Sequence, residues 1–504
     1  MKSFAFAVIV ALGLSSIAQS STTYYISPTG SDSNTGTLAT KPWKTFKHAI
    51  GSLTAGSVLV VEDGTYSSSN SGYPTIYCGS NAKNGTATAP ITITAQHERQ
   101  AFIKGDSSIG YPLIMTNCNY WNVIGLHLES GDYHGIQYAD VMHIENSSHI
   151  LVQRNILAHN NRYLNSHLID NYNSNHNTFE ENELYYFHRH GILDMYGGFN
   201  TYRRNYFNSR GYSDISGGYP SDFPTRGDGA IILYPAHDAI IENNISEGQD
   251  EGPGIQCDYA STQNNCNNDK FLGNISMGDN YGHVIKARGK SDVYMPHNSF
   301  IENDVAISPT NTGPFLRATK NTTCNNCMTI GASSNQSGIL ADSNTSSEGG
   351  DGNYSVYINN SMTLGTNGKT EYGLAVLDQV GSWTWKAASV NAHGSSWNFY
   401  PVLPNSHVTG GTSSDPEMGS CLVWIPDNSP LKHAGTGGKD IGADVLKRYQ
   451  NGVLTTQRLW DPSTGQFPHG AIVKGLNDVA GSSAMDVNKR LHVNTSGCAF
   501  PSGY

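Results

Sequence analysis

The stretch QRNILAHN, from Gln153 to Asn160, joins an asparagine to a short aliphatic run, and the same phrase returns along the chain. It recurs as EENELYYF, RRNYFNSR, ENNISEG, LGNISMGD, PHNSFIEN and INNSMTL. The anchoring residues are Asn155, Asn182, Asn205, Asn244, Asn274, Asn298 and Asn360, at intervals of 27, 23, 39, 30, 24 and 62. A base period in the low-to-middle twenties, with insertions, marks a solenoid of stacked coils. No helix-period apolar segment lies between the phrases, and the leucine framework of a leucine-rich repeat is missing. The pattern predicts an all-β chain, a parallel β-helix. Each coil turns a few aliphatic side chains inward, while asparagine at the turns satisfies backbone groups and tolerates left-handed conformations.

Outward from the repeats, the N-terminus MKSFAFAVIVALGLSSIAQS carries Lys2, an apolar run from Phe4 to Leu14, and the small-residue ending Ala18-Gln19-Ser20. Residues 1–20 read as a secretory signal peptide. No later segment approaches the roughly 18 apolar residues of a membrane span, so the expected product is exported, extracellular or periplasmic, and not inserted in a membrane. The β-helix is expected over 21–445, with an N-terminal cap at about 23–66. Residues 446–504 lack the repeat phrase and are expected to pack along the solenoid or cap its end.

Charged residues make up only 14% of the chain, and the formal net charge is −11. That balance excludes nucleic acid, whose phosphates demand a basic face, and anionic membrane surfaces; an anionic substrate could still meet a local basic patch. The eight cysteines suit disulfides in an exported chain. Cys257 with Cys266 and Cys324 with Cys327 enclose short polar loops and are the natural local pairs, while spacing leaves Cys78, Cys118, Cys421 and Cys498 undecided.

The opening YYISPTGSDSNTGTLATKPWKTFKHAIGSLTAGSVLVVEDGTY, Tyr24 to Tyr66, resembles that of secreted right-handed parallel β-helix proteins of the pectin-lyase-like superfamily. The resemblance implies a strand, a Gly/Ser/Asn turn, a capping helix around Trp43 to Leu53, and a first coil. The later stretch SDPEMGSCLVWIPDNSPLKHAGTGGKDIGADV looks like the final coil of the same group. The superfamily holds polysaccharide lyases, glycoside hydrolases, esterases and non-enzymatic fibres, so the resemblance speaks to fold more than to activity.

Chemistry concentrates where insertions and charges gather. The insertion SRGYSDISGGYPSDFPTRGDGA, Ser209 to Ala230, precedes ISEGQDEGPGIQCDYA, and then YGHVIKARGK brings Lys286 and Arg288 onto one strand. Alternation puts Val284, Lys286 and Arg288 on one face, with Ile285 and Ala287 on the other. Aligning HRHGILDMYGG to it through the aliphatic pairs Ile192-Leu193 and Val284-Ile285 sets Asp194 level with Lys286 and Tyr196 level with Arg288; SHLIDNYN adds Asp170 and Tyr172 to these columns.

Elimination at a uronate needs a base, a cation at the carboxylate and a proton for the leaving oxygen. Lys286 would be the base, with Arg288 and calcium beside it, and Arg288 would hold the carboxylate. His283 or His190 would protonate the leaving group. Asp194, Asp228, Glu251 and Asp258 are the candidate ligands for Ca2+, which takes six to eight oxygens. Tyr172, Tyr196 and Tyr234 would stack on sugar rings. The expected function is cleavage of an acidic polysaccharide by β-elimination. The alternatives are a non-catalytic glycan-binding or adhesion β-helix, and a glycoside hydrolase using Asp194, Asp228 and Asp258 as acid and base.

Overall fold

The computed structural model describes residues 22–67, 76–79, 82–105, 111–130, 140–160, 166–209, 227–257, 266–287, 295–332, 337–342, 353–365, 370–377, 382–400, 407–465 and 487–491, with Val493, Cys498, Phe500 and Pro501. The expected signal peptide and most of the insertion after Ser209 lie outside these residues.

Short strands separated by tight corners cannot pair with their sequence neighbours, so each pairs with its counterpart one coil away. Three long parallel sheets result. The first has 14 strands, from Thr23–Ile26 to Val408–Thr409; the second has 12, from Ile76–Cys78 to Trp397–Tyr400; the third has 12, from Gly64–Tyr66 to Asn391–His393. This is the parallel β-helix that the repeats predict. The helix Phe46–Ser52 buries Phe46, Ala49 and Ile50 and is capped by the Thr45 side chain, which accepts from the His48 amide. It closes the first coil.

The asparagines explain the corner between the first and third sheets. Asn155, Asn182, Asn205, Asn244 and Asn274 are buried and form a ladder down the interior. Each side-chain amide donates to the next carbonyl oxygen, at 3.1 Å from Asn155 to Asn182 and 3.0 Å for the following three steps. The residue before each is left-handed: Arg154, Glu181, Arg204, Asn243 and Gly273 have φ of 56°, 57°, 53°, 55° and 66°. The inward asparagine answers backbone amides and carbonyls that the sharp corner frees from the sheets.

Two of the seven anchors belong elsewhere. The ladder continues from Asn274 to the carboxylate of Asp304, whose Oδ1 accepts from the Asn274 amide at 2.7 Å. Asn298 stands instead in an exposed column with Asn268 and Asn321. Asn360 is itself the left-handed residue, φ 48°, with Ser361 at the ladder position. The period is steadier than the phrase suggests, because Asp can accept as Asn does at the ladder's end.

The stretch expected as a final coil is not one. After Val408–Thr409 the chain turns back along the outside of the third sheet. Val423, Trp424, Ile425, Ile441, Val445 and Trp460 pack on the outward Ile245, Ile275, Val305, Met328 and Met362. Backbone and side-chain bonds mark the route: Asn360 Oδ1 accepts from Thr436, Asn326 donates to the Asp440 carbonyl, and Asn243 Oδ1 accepts from Tyr449. The apolar run belongs to this cover because the third sheet is apolar on both faces. The antiparallel hairpin Lys447–Gln450 with Val453–Arg458 follows. Disulfides join Cys78–Cys118, Cys257–Cys266, Cys324–Cys327 and Cys421–Cys498, the last fastening the covering segment.

Candidate functional site

The outer face of the second sheet carries the charged groups. In the strand Tyr281–Ala287, Ile285 and Ala287 enter the core while Lys286 keeps partial exposure. Its neighbours across the coils are Gln256 on one side and Arg317 on the other, both in direct register. Lys286 Nζ lies 2.6 Å from Glu251 Oε1, and the other oxygen of Glu251 accepts from Gln256 Nε2 at 2.7 Å. Tyr234 OH donates to Gln256 Oε1 at 3.4 Å, and Arg189 donates to Tyr234 OH at 3.3 Å. The Arg189 guanidinium also lies 6.0 Å from the centre of the Tyr234 ring and 3.8 Å from the exposed carboxylate of Asp228.

One connected polar chain therefore runs Arg189, Tyr234, Gln256, Glu251, Lys286 across neighbouring coils. Arg317 extends it, with Asp342 at 3.6 Å. Beside it lies an apolar strip of Leu193, Ile232, Tyr234 and Met195. Tyr281 and Phe315 stack at 5.4 Å on the far side. The arrangement sets three cations, each beside a carboxylate, and hydrogen-bonding groups along one sheet face.

Of the sequence-predicted residues, the structure brings together Lys286, Glu251, Asp228 and Tyr234. Tyr172 lies in the same column as Tyr234 and Lys286, through Met195. Tyr196 sits at the corner after its strand, φ 61°, edge-on to Tyr172 at 5.6 Å. Arg288 and Asp258 lie outside the described residues.

Asp194 does not stand level with Lys286. The pairings carry Leu193 to Ile232, Gly254 and Val284, and Asp194 to Leu233, Ile255 and Ile285, so the true register differs from the expected one by one residue. Asp194 is wholly buried. It accepts from Tyr202 OH at 2.7 Å and from the side chains of Asn200 and Asn171, and burial raises its pKa to about 6. The aliphatic pair misleads because Ile192 faces the core while Leu193 belongs to the outer apolar strip.

His283 is likewise enclosed, its Nδ1 3.5 Å from Asp304 Oδ2, and burial holds its pKa down at about 4. It cannot reach a substrate on the outer face. His190 is buried between the His167 ring, stacked at 4.9 Å, and the Tyr234 ring, edge-on at 5.7 Å.

Of the four expected calcium ligands Asp258 lies outside the described residues, and Asp194, Asp228 and Glu251 do not form an oxygen cage by themselves. Asp194 is interior, both Glu251 oxygens are taken by Lys286 and Gln256, and Asp228 faces Arg189. A calcium site needs six to eight oxygens, and these residues do not fit it.

Sequence reasoning passes over Arg189, Gln256 and Arg317. For Arg317 the signal is present: GHVIKA and GPFLRA share one pattern, 31 residues apart, with Lys and Arg at the same place. Arg189, between two histidines, carries no such mark.

The family described as a Pel9A-like, right-handed β-helix region matches residues 24–199, and a right-handed β-helix region family matches residues 140–322. No curated protein matches the chain. Among solved structures, pectate lyase Pel9A is 17% identical, with a TM-score of 0.46, over 85% of this chain and 96% of that one. A polysaccharide lyase of family PL6 from Pseudopedobacter saltans is 12% identical, with a TM-score of 0.49, over 79% and 97%. An alginate lyase from a Paenibacillus species is 13% identical, with a TM-score of 0.40, over 68% and 97%.

Proposed function

The chain being a right-handed parallel β-helix protein of the pectin-lyase-like superfamily, we propose that it is an exported polysaccharide lyase acting on a uronate-containing chain. One observation carries the reading: Lys286 stands on the outer sheet face, ion-paired to Glu251 and in register with Arg317.

β-Elimination removes the proton on C5 of a uronate, forms the C4–C5 double bond with that electron pair, and breaks the C4–O4 bond. The C5 proton becomes acidic only when the neighbouring carboxylate is neutralised. Arg317, one coil from Lys286, and Arg189, on the other side of the Tyr234–Gln256 pair, are the cations for that role. To act as base Lys286 must first give up the proton that it shares in the ion pair with Glu251; it then takes the C5 proton on the same face and can return a proton to the departing O4. Glu251 and Gln256 fix the lysine between the two arginines. Tyr281, the partly exposed ring of the Tyr281–Phe315 stack, covers the apolar face of a sugar ring, while buried Tyr234 backs Gln256.

The hydrolase reading has less support. It needs two carboxylates facing each other across an open site. Asp194 is interior, and Glu251 and Asp228 are both directed at cations. The four disulfides agree with an oxidising, extracytoplasmic compartment.

The test is absorbance of the unsaturated uronate during incubation with pectic, alginate and glycosaminoglycan substrates. A rise that Lys286→Ala abolishes supports elimination. New reducing ends without absorbance would replace it with hydrolysis, and binding with neither would make the chain a glycan-binding module.

A further inference from the structure

Five strands away from Lys286 in the second sheet, a second cluster faces outward. His143, on the strand Met142–Glu145, is paired in direct register with Asp170 on the strand His167–Tyr172. Asp140 lies just before the first of these strands. Asp170 Oδ2 is 3.1 Å from His143 Nδ1, and Asp140 Oδ2 is 3.6 Å from the same nitrogen. All three donor atoms lie within 4.8 Å of one another.

We propose that Asp140, His143 and Asp170 form a site for one divalent transition-metal ion such as Zn2+ or Mn2+. Donor atoms bound to such an ion at about 2.0–2.2 Å stand roughly 3.0–3.4 Å apart, close to the separations at His143. Small side-chain rotations bring the three to one point.

The supports around the donors suit this role. Asp140 is almost fully buried, and the His167 amide holds its Oδ1 at 2.6 Å, which leaves Oδ2 directed toward His143. Asp170 Oδ1 is buried with no hydrogen-bond donor among the described residues. Glu145 Oε2 lies 3.9 Å from His143 Nε2, on the far side of the ring, where a carboxylate orients a metal-bound imidazole. The Tyr111 ring meets His143 edge-on at 6.1 Å. Without an ion, a proton on the His143 imidazole compensates the two carboxylates, and a bound metal would take that proton's place.

The donor set selects the class of metal. One imidazole nitrogen and two carboxylates match zinc or manganese, whereas calcium and magnesium sites are built from oxygens. Three protein ligands leave a coordination position for water or a substrate oxygen. The site shares the sheet face that carries Lys286, and it joins two successive coils, so an ion there cross-links them.

The test uses the full chain, stripped with chelator, loaded separately with Zn2+, Mn2+ and Ca2+, desalted and assayed for bound metal. The expected result is one equivalent of Zn2+ or Mn2+, falling at least tenfold in Asp170→Asn and in His143→Ala, and unchanged in Lys286→Ala. In the cobalt-loaded protein, visible absorption bands should shift when His143 is replaced, a readout that a merely destabilised fold would not give. Equal metal content in wild type and Asp170→Asn would overturn the proposal, as would retention of Ca2+ alone. Absence of retained metal in a folded wild-type chain would also overturn it, leaving the three groups sharing protons. None of these outcomes depends on lyase activity.

Discussion

Glu251 and Lys286 sit on successive coils, and their side chains meet at 2.6 Å on the outer face of the second sheet, with Gln256 closing the second oxygen of the carboxylate. A lysine held so firmly has one direction in which to act. In the proposed lyase, Lys286→Ala lowers turnover by about 10²–10⁴-fold, the usual worth of a positioned acid–base group. Circular dichroism and thermal unfolding near the wild type would show that the loss is chemical; full activity in the folded variant removes Lys286 from the mechanism.

Arg317→Ala separates binding from chemistry. Removing a cation from the carboxylate side should raise KM for uronate polymers and lower kcat together, and flatten the dependence of kcat/KM on salt. Unchanged kinetics on every charged polymer would assign Arg317 to its contact with Asp342 alone.

His283 makes stability sensitive to acid. Burial depresses its pKa to about 4 from the ordinary 6.5, so between these values the unfolded chain binds a proton that the folded chain refuses. Its contribution is complete above about pH 6.5 and is lost as pH falls toward 4, up to about 3 kcal/mol. Thermal unfolding between pH 7 and 4 should show a shallower loss in His283→Gln than in wild type. Parallel curves would mean the ring titrates normally. The difference between the curves is the informative quantity, because buried Asp194 and Asp279, both raised to about 6, act in the opposite sense.

The asparagine ladder predicts a large local cost. Asn205→Ala takes the Oδ1 acceptor from the Asn182 backbone amide and the side-chain donor from the Phe179 carbonyl, since Asn205 serves both. Each stranded buried group costs about 1–3 kcal/mol, so the variant should lose several kcal/mol in denaturant unfolding. A loss below 1 kcal/mol would show that water replaces the amide.

The fold was legible because the ladder repeats one side chain at one corner, and a coil that must hide its backbone there has few alternatives to Asn. Where Asp304 does the same work the phrase breaks, although the structure does not. The site was less legible. Lys286 and Glu251 stand out as charges in a chain poor in them, but register across coils joins residues of unlike type, as where Leu193 is carried to Ile232, Gly254 and Val284. Leu193 and Ile232 on the outer face further disguise inside as outside. Arg189 enters the site by folding alone, since nothing beside it in sequence marks a surface cation as functional.

The segment that turns back along the third sheet changes how the molecule comes apart. A bare stack of coils can fray one layer at a time, each interface yielding separately. Here residues 436 to 451 touch corners near Asn360, Asn326, Asn303 and Asn243 in turn, like a splint bound across several vertebrae. Layers spanned by it must yield together, so unzipping that begins at the last coils halts there, and the part of the solenoid bearing Lys286 and Arg317 gains kinetic resistance to proteases from residues far from either.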